Sequence, residues 1–169
     1  MSRVFDADDR VDDSIEGLIL LCQDFITPDM EIVEVGCYRG VSTSIFAQYA
    51  KTVYAVDPWM DGLATYHELP RDMMESAEPL FDEMIVKFPN IIKRKGFSEE
   101  IAREFPERSI DAVYIDGNHS ELGFKTDMVA WMPRVKTGGL IMGHDHCMVK
   151  RFLPRVAKTY CDQSWVMIK

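Results

Sequence analysis

The sequence has no apolar run long enough to span a membrane, and its first residues carry no apolar core of the signal-peptide kind. Basic residues are scarce: 19 Lys and Arg stand against 28 Asp and Glu, a net charge of −9 at pH 7. That balance repels phosphate backbones and anionic lipids, so neither nucleic acid nor a membrane surface is an expected partner. A local cluster, Lys93-Arg94-Lys95, reads as solvated surface at a strand end. Cysteine is sparse and scattered. Cys22, Cys37, Cys147 and Cys161 make no C-x-x-C pair, which argues against thiolate-held zinc and for reduced thiols in a cytoplasmic protein. No internal repeat or low-complexity tract breaks the chain. Neither Ser42 nor Ser120 sits in G-x-S-x-G, so a hydrolase elbow is absent.

What is present is an alternation of short strands and helices. A length of 169 residues suits one domain, 1–169, with a sizeable core. Apolar positions Ile15, Leu18, Ile19, Cys22, Phe25 and Ile26 recur at helical spacing, with Asp13 or Ser14 as cap and Pro28 as stop. Strands are expected at 31–35, 52–56, 90–95, 111–115, 140–143 and 165–168, and helices at 42–50, 74–88, 98–105, 119–132 and 149–160. That order predicts an α/β, doubly wound, mostly parallel sheet. The stretch from Pro58 to Met73, with Trp59, Tyr66 and His67, is long for a βα loop and reads either as a lid or as a surface excursion.

The first strand runs into Glu34-Val-Gly36-Cys-Tyr38-Arg-Gly40, and Ser42 and Thr43 then open a helix. Glycines in that place let the backbone turn sharply and lie against a ligand. An acidic residue at the end of the next strand, Asp57, suits a ribose, whose paired hydroxyls donate to a carboxylate. Tyr38 and Val41 stand where a dinucleotide loop has its second and third glycines, which moves the reading away from pyrophosphate. With no evident Tyr-x-x-x-Lys pair, a nicotinamide oxidoreductase is disfavoured. Cys37 reads as a small packed residue of the turn rather than a reactive thiol.

These motifs, together with Ile115-Asp116-Gly-Asn-His119-Ser120, Asp127, Trp131 and Gly138-Gly-Leu-Ile-Met-Gly-His-Asp145, resemble class I S-adenosylmethionine-dependent methyltransferases. The set is most similar to the small-molecule O-methyltransferase branch that includes macrolide-sugar O-methyltransferases and proteins labelled cephalosporin hydroxylases. The resemblance spans roughly residues 30 to 160 and implies a Rossmann-like fold. It places Glu34 and Gly36 near the methionine part of S-adenosylmethionine and Gly40, Ser42 and Thr43 around its carboxylate end, and counts Tyr38 and Asp116 among the cofactor-binding residues. Asp57 would take the ribose, and Phe97 and Ser98 the adenine side, with Phe97 either stacking or packing in the core.

In the metal-dependent members, carboxylates at the ends of the fourth and fifth strands hold magnesium. Those positions match Asp116 and Asp145, followed here by His146. The implied metal set is therefore Asp116, Asp145 and His146, with a divalent cation (magnesium, or manganese given the imidazole). Asp116, His119 and Asp145 are the expected catalytic groups. His119 serves either as a helix cap or as a base near neutral pH, and His144 is expected to orient its loop. The expected activity is methyl transfer to a small hydroxylated metabolite, with a non-catalytic cofactor-binding protein as the alternative. Only 23 residues follow His146, room for a helix and one shortened strand but not for a closing hairpin, and an open edge would allow pairing with a second copy.

Overall fold

The computed structural model describes residues 13–59, 77–153 and 158–169, with side chains from Ile15 onward. Helix α1 (Asp13–Phe25) precedes β1 (Glu31–Val35), α2 (Val41–Phe46), β2 (Thr52–Asp57), α3 (Ala77–Ile85), β3 (Ile91–Lys95) and α4 (Ser98–Ala102). Then come β4 (Ile110–Ile115), α5 (Glu121–Trp131), β5 (Val135–Gly143), α6 (His146–Val149), β6 (Lys158–Thr159) and β7 (Trp165–Ile168). The capping of α1 and most of the suspected lid lie outside the residues whose side chains are described.

The seven strands form one sheet in the order β3-β2-β1-β4-β5-β7-β6. Strands β1 to β5 are parallel, while β7 runs antiparallel between β5 and β6. Alternation along β1 explains the two faces: Ile32 points to a core under α1, α2 and α3, and Val33 and Val35 to a core under α4 and α5. On the second face Phe124, Met128 and Trp131 of α5 are buried at helical spacing. Each such side chain removed from water contributes about 1.5–3 kcal/mol.

The chain changes direction across the sheet between β1 and β4, so the crevice of the topological switch opens at their C-terminal ends. Register aligns those ends: Val35 pairs with Val56 and Ile115, Asp57 with Lys95, and Ile115 with Gly143. Every motif picked out in the sequence therefore emerges at one edge of the sheet.

Two expectations are corrected. Among the described residues, the helix expected at 149–160 is reduced to the end of the four-residue α6 and a 3-10 turn at Lys150–Phe152, and Lys158–Thr159 are strand. The closing hairpin is present, short as its strands are, because β6 needs only two residues to pair with β7. The edge is consequently β6, not the last strand. Lys93 and Lys95 on edge strand β3 are tied to Glu78, with Lys93 also paired to Asp82, and Arg94 pairs with Glu104.

Candidate active site

The turn after β1 is built by backbone. Gly36 has φ +86°, and a Cβ there would stand 2.3 Å from the carbonyl oxygen of Asp116, so only glycine lets the ends of β1 and β4 approach this closely. Tyr38 follows at φ 49°, a left-handed conformation that is uncommon outside glycine. Gly40 (φ +85°) starts α2, and a Cβ on it would strike Met84 and Phe81 of α3 at 2.1 and 2.8 Å. The turn is thus pinned between the end of β4 and the underside of α3.

Asp57 holds it from below. Its Oδ2 accepts from the N–H groups of Cys37 (2.9 Å) and Tyr38 (3.0 Å), and its Oδ1 from Trp59 N–H (2.7 Å). Burial pushes the carboxyl above its ordinary value while these donors hold it down. A carboxylate has about four lone-pair positions, so three N–H groups leave Asp57 room for a single further hydroxyl. The Trp59 indole donates back to Tyr38 O (2.8 Å), packs 4.6 Å from Phe81 and lies under Lys93 Nζ at 4.8 Å. Sequence reasoning placed Trp59 in the loop and missed this closure; the Asp-Pro-Trp order was its only signal.

The remaining residues expected at the cofactor are sorted by burial. Glu34 is fully buried on the α1–α2 face, where its charge, after burial itself, raises the thiols of Cys22 and Cys37. The Cys37 thiol lies 3.5 Å from Glu34 O and 3.6 Å from Val56 O, a packed position in keeping with a small turn residue. Ser42 and Thr43 are buried in α2. Phe97 is 39% exposed, which makes it available for stacking rather than core packing. Ser98 Oγ accepts from the Trp131 indole (2.8 Å), and its hydroxyl bonds the buried carboxylate of Asp127.

The second half of the site is built by side chains. Asp116 ends β4 and Asp145 precedes α6 at φ 52°, a strained conformation for a non-glycine residue. Asp116, His144 and Asp145 offer ligand atoms all within 4.8 Å of one another, the group able to hold a metal among the described residues. His144 Nδ1 lies 3.5 Å from Asp145 Oδ1 and 3.8 Å from Asp116 Oδ1. His146 is not part of this group. It begins α6, where its N–H donates to Gln163 O (3.1 Å), so the imidazole beside the carboxylates is that of His144.

His119 completes the cluster, with Nε2 3.3 Å from Asp116 Oδ1 and 2.8 Å from Asp145 Oδ2. Ser120, not His119, caps α5 by accepting from Gly123 N–H (3.1 Å). Hydrogen bonds to Asp116 and then Asp145 push the imidazole up to about 10. At neutral pH it is an imidazolium and has no lone pair with which to take a proton. Reciprocally, His119 and His144 hold Asp145 well below the usual carboxylate range. The closing hairpin supports this loop: Trp165 is fully buried, and its indole donates to His144 O (2.9 Å).

Among the described residues no helix is long and apolar enough to cross a membrane. Comparison with known proteins agrees with the architecture. A protein of Sinorhizobium fredii with no assigned role is 26% identical over 127 residues, 68% of this chain but 13% of its own length, so the chain spans about an eighth of that relative. A methyltransferase-assigned protein of Streptococcus mutans, solved with S-adenosylhomocysteine, superposes with a TM-score of 0.65 at 15% identity, covering 94% of this chain and 98% of its own. An rRNA methylase of Streptococcus thermophilus gives 0.63 at 14% identity, with 95% and 98% covered. Phosphoethanolamine N-methyltransferase 1 of Haemonchus contortus, solved with phosphoethanolamine and S-adenosylhomocysteine, gives 0.58 at 18% identity over 75% of this chain and 24% of its own. Residues 33–146, more than half of the chain and including both halves of the site, match the family described as a methyltransferase domain, and the chain belongs to that family.

Proposed function

We propose that this domain transfers the methyl group of S-adenosylmethionine to a hydroxyl of a small metabolite, in the manner of the O-methyltransferases that its motifs resemble. The observation that carries the reading is the convergence of Asp116, His119, His144 and Asp145 beside the Gly36 turn at the switch point of the sheet. A glycine turn alone supports only cofactor binding; a carboxylate and imidazole cluster next to it supports chemistry on an acceptor.

Bound S-adenosylmethionine supplies an electrophilic methyl, and a divalent cation, when present, lowers the pKa of a coordinated hydroxyl. The donors fit such a cation: Asp116, Asp145 and His144 would hold it, and a mixed oxygen and nitrogen set suits manganese, iron or zinc better than magnesium. The residues divide the remaining work. Asp145, held ionised by its two imidazoles, is a poor proton acceptor and a good ligand and hydrogen-bond acceptor. Asp116, at the end of β4 beside Gly36, takes the acceptor's proton as its oxygen bonds to the methyl carbon and the C–S bond breaks. His119, as imidazolium, orients both carboxylates. The 36–40 turn, the remaining acceptor position of Asp57, and the exposed ring of Phe97 bind the cofactor.

The non-catalytic alternative drew on the shortened C-terminus and on a sparse lid; the C-terminal hairpin is present, and most of the lid lies outside the described residues. The acceptor is expected to be a soluble molecule rather than nucleic acid, given the net charge of −9. The test is calorimetry with S-adenosylmethionine followed by a methyl-transfer screen over hydroxylated metabolites, with Mn²⁺, Mg²⁺ or a chelator present. Mass gain of 14 Da on a hydroxyl supports the reading; no cofactor binding at millimolar concentration, or methylation only at nitrogen, defeats it.

A further inference from the structure

Asp127 is one of the few charged side chains buried in the molecule, 5% exposed, and none of the roles above uses it. It lies on α5, about two turns from the cap at Ser120. On one side its carboxylate receives the hydroxyl of Ser98, the first residue of α4, whose Oγ in turn accepts from the Trp131 indole at 2.8 Å. On the other side it stands behind Gly117: a Cβ on that glycine would lie 3.6 Å from Asp127 Oδ2 and 3.4 Å from Val35 Cγ1. The buried carboxylate therefore lies between the start of α4, which carries Ser98, and the loop after β4, which carries Asp116 and Gly117.

We propose that Asp127 is a positioning residue that fixes the loop for the nucleoside end of the cofactor against the loop carrying Asp116. The proposal rests on the methyltransferase reading given above and goes beyond it. A buried carboxylate on this face would be replaced by an apolar residue if packing alone mattered, because an unshared buried charge opposes folding. Trp131, by donating its indole N–H to Ser98 Oγ, leaves the Ser98 hydroxyl hydrogen free for an acceptor such as Asp127. The link is rigid in direction: indole to hydroxyl to carboxylate.

The test is a double-mutant cycle on S-adenosylhomocysteine binding by calorimetry, using Asp127→Leu, Ser98→Ala, the pair, and Asp127→Asn, with thermal melts as a fold control. Each single change is expected to weaken binding roughly tenfold, and the pair to be no weaker than the worse single, because both break one chain. Asp127→Asn keeps an oxygen for the Ser98 hydroxyl and is expected to bind within about threefold of wild type. Wild-type-like affinity in Asp127→Leu, or losses that multiply in the pair, would overturn the positioning role while leaving the cofactor reading intact. Failure of wild type itself to bind defeats that reading first, and this proposal with it. Should Asp127→Leu not fold, Ser98→Ala decides the matter alone: a roughly tenfold loss of affinity with an unchanged melt supports the role, and wild-type-like affinity overturns it.

Discussion

The two halves of the site are made of different materials. At the Gly36–Gly40 turn the protein offers shaped backbone: left-handed residues, N–H groups gathered on Asp57, and contacts too tight for any side chain. At Asp116, His119, His144 and Asp145 it offers side chains whose charges set one another. Backbone geometry tolerates almost no substitution. Side-chain electrostatics tolerate conservative change in shape and none in charge. Binding is therefore expected to fail by distortion and chemistry by neutralisation.

The largest separation of the two halves is expected from Asp145→Ala. Methyl transfer should fall by about 10²–10⁴, while calorimetric affinity for S-adenosylhomocysteine stays within about threefold; equal losses in both would erase the contrast drawn here. Gly36→Ala is the opposite experiment. With φ +86° and Asp116 O at 2.3 Å, the new methyl has nowhere to go, and a loss of about 3 kcal/mol or more in denaturant unfolding is expected. A fold unchanged in stability would show that the turn can relax.

A smaller effect is expected from Asp57→Asn. An amide keeps one accepting oxygen where the carboxylate uses two, so at least one of the Cys37, Tyr38 and Trp59 N–H groups loses its partner. That change costs about 1–3 kcal/mol of stability and should weaken cofactor binding in step, since turn and brace are one unit. The smallest effect is a pH dependence. Burial first, and Glu99 next, push the Asp127 carboxyl up to about 6 from 3.8, against the Ser98 hydroxyl. A folded pKa above the unfolded one means the native state holds the proton longer, so this stabilisation is whole below pH 4 and is lost as pH rises through about 6. Melting temperatures followed from pH 4 to 8 should show that decline in wild type and not in Asp127→Asn, a difference of a few degrees.

Most of the parallel sheet was legible in the amino acids, and the reason is physical. Strands buried on both faces read as largely apolar runs, and the expected bounds 31–35 and 165–168 match, although Glu34 sits buried within the first and the second runs antiparallel. Strand β6 was invisible because Lys158-Thr159 are both exposed and two residues carry no period. Val149, Phe152 and Leu153, within the helix expected there, pack against the α5 face from a short helical turn. In the site, residue types and strand ends were readable. Which imidazole joined the carboxylates was not, since that choice turns on the left-handed backbone of Asp145 and on a hydrogen bond from Trp165, twenty residues downstream. The ionised state of His119 was likewise hidden, because it depends on two carboxylates brought together only by folding.

The Trp165 indole on His144 O has a consequence for how the domain comes into being. A nascent chain emerges N-terminus first, and the glycine turn finds Asp57 and the helix of Phe81 within the first half of the chain, with the end of β4 closing over Gly36 later. The loop with His144 and Asp145 has to wait for the strand that slides in antiparallel beside β5. During synthesis the brace under the glycine turn is thus available well before the support of the His144–Asp145 loop.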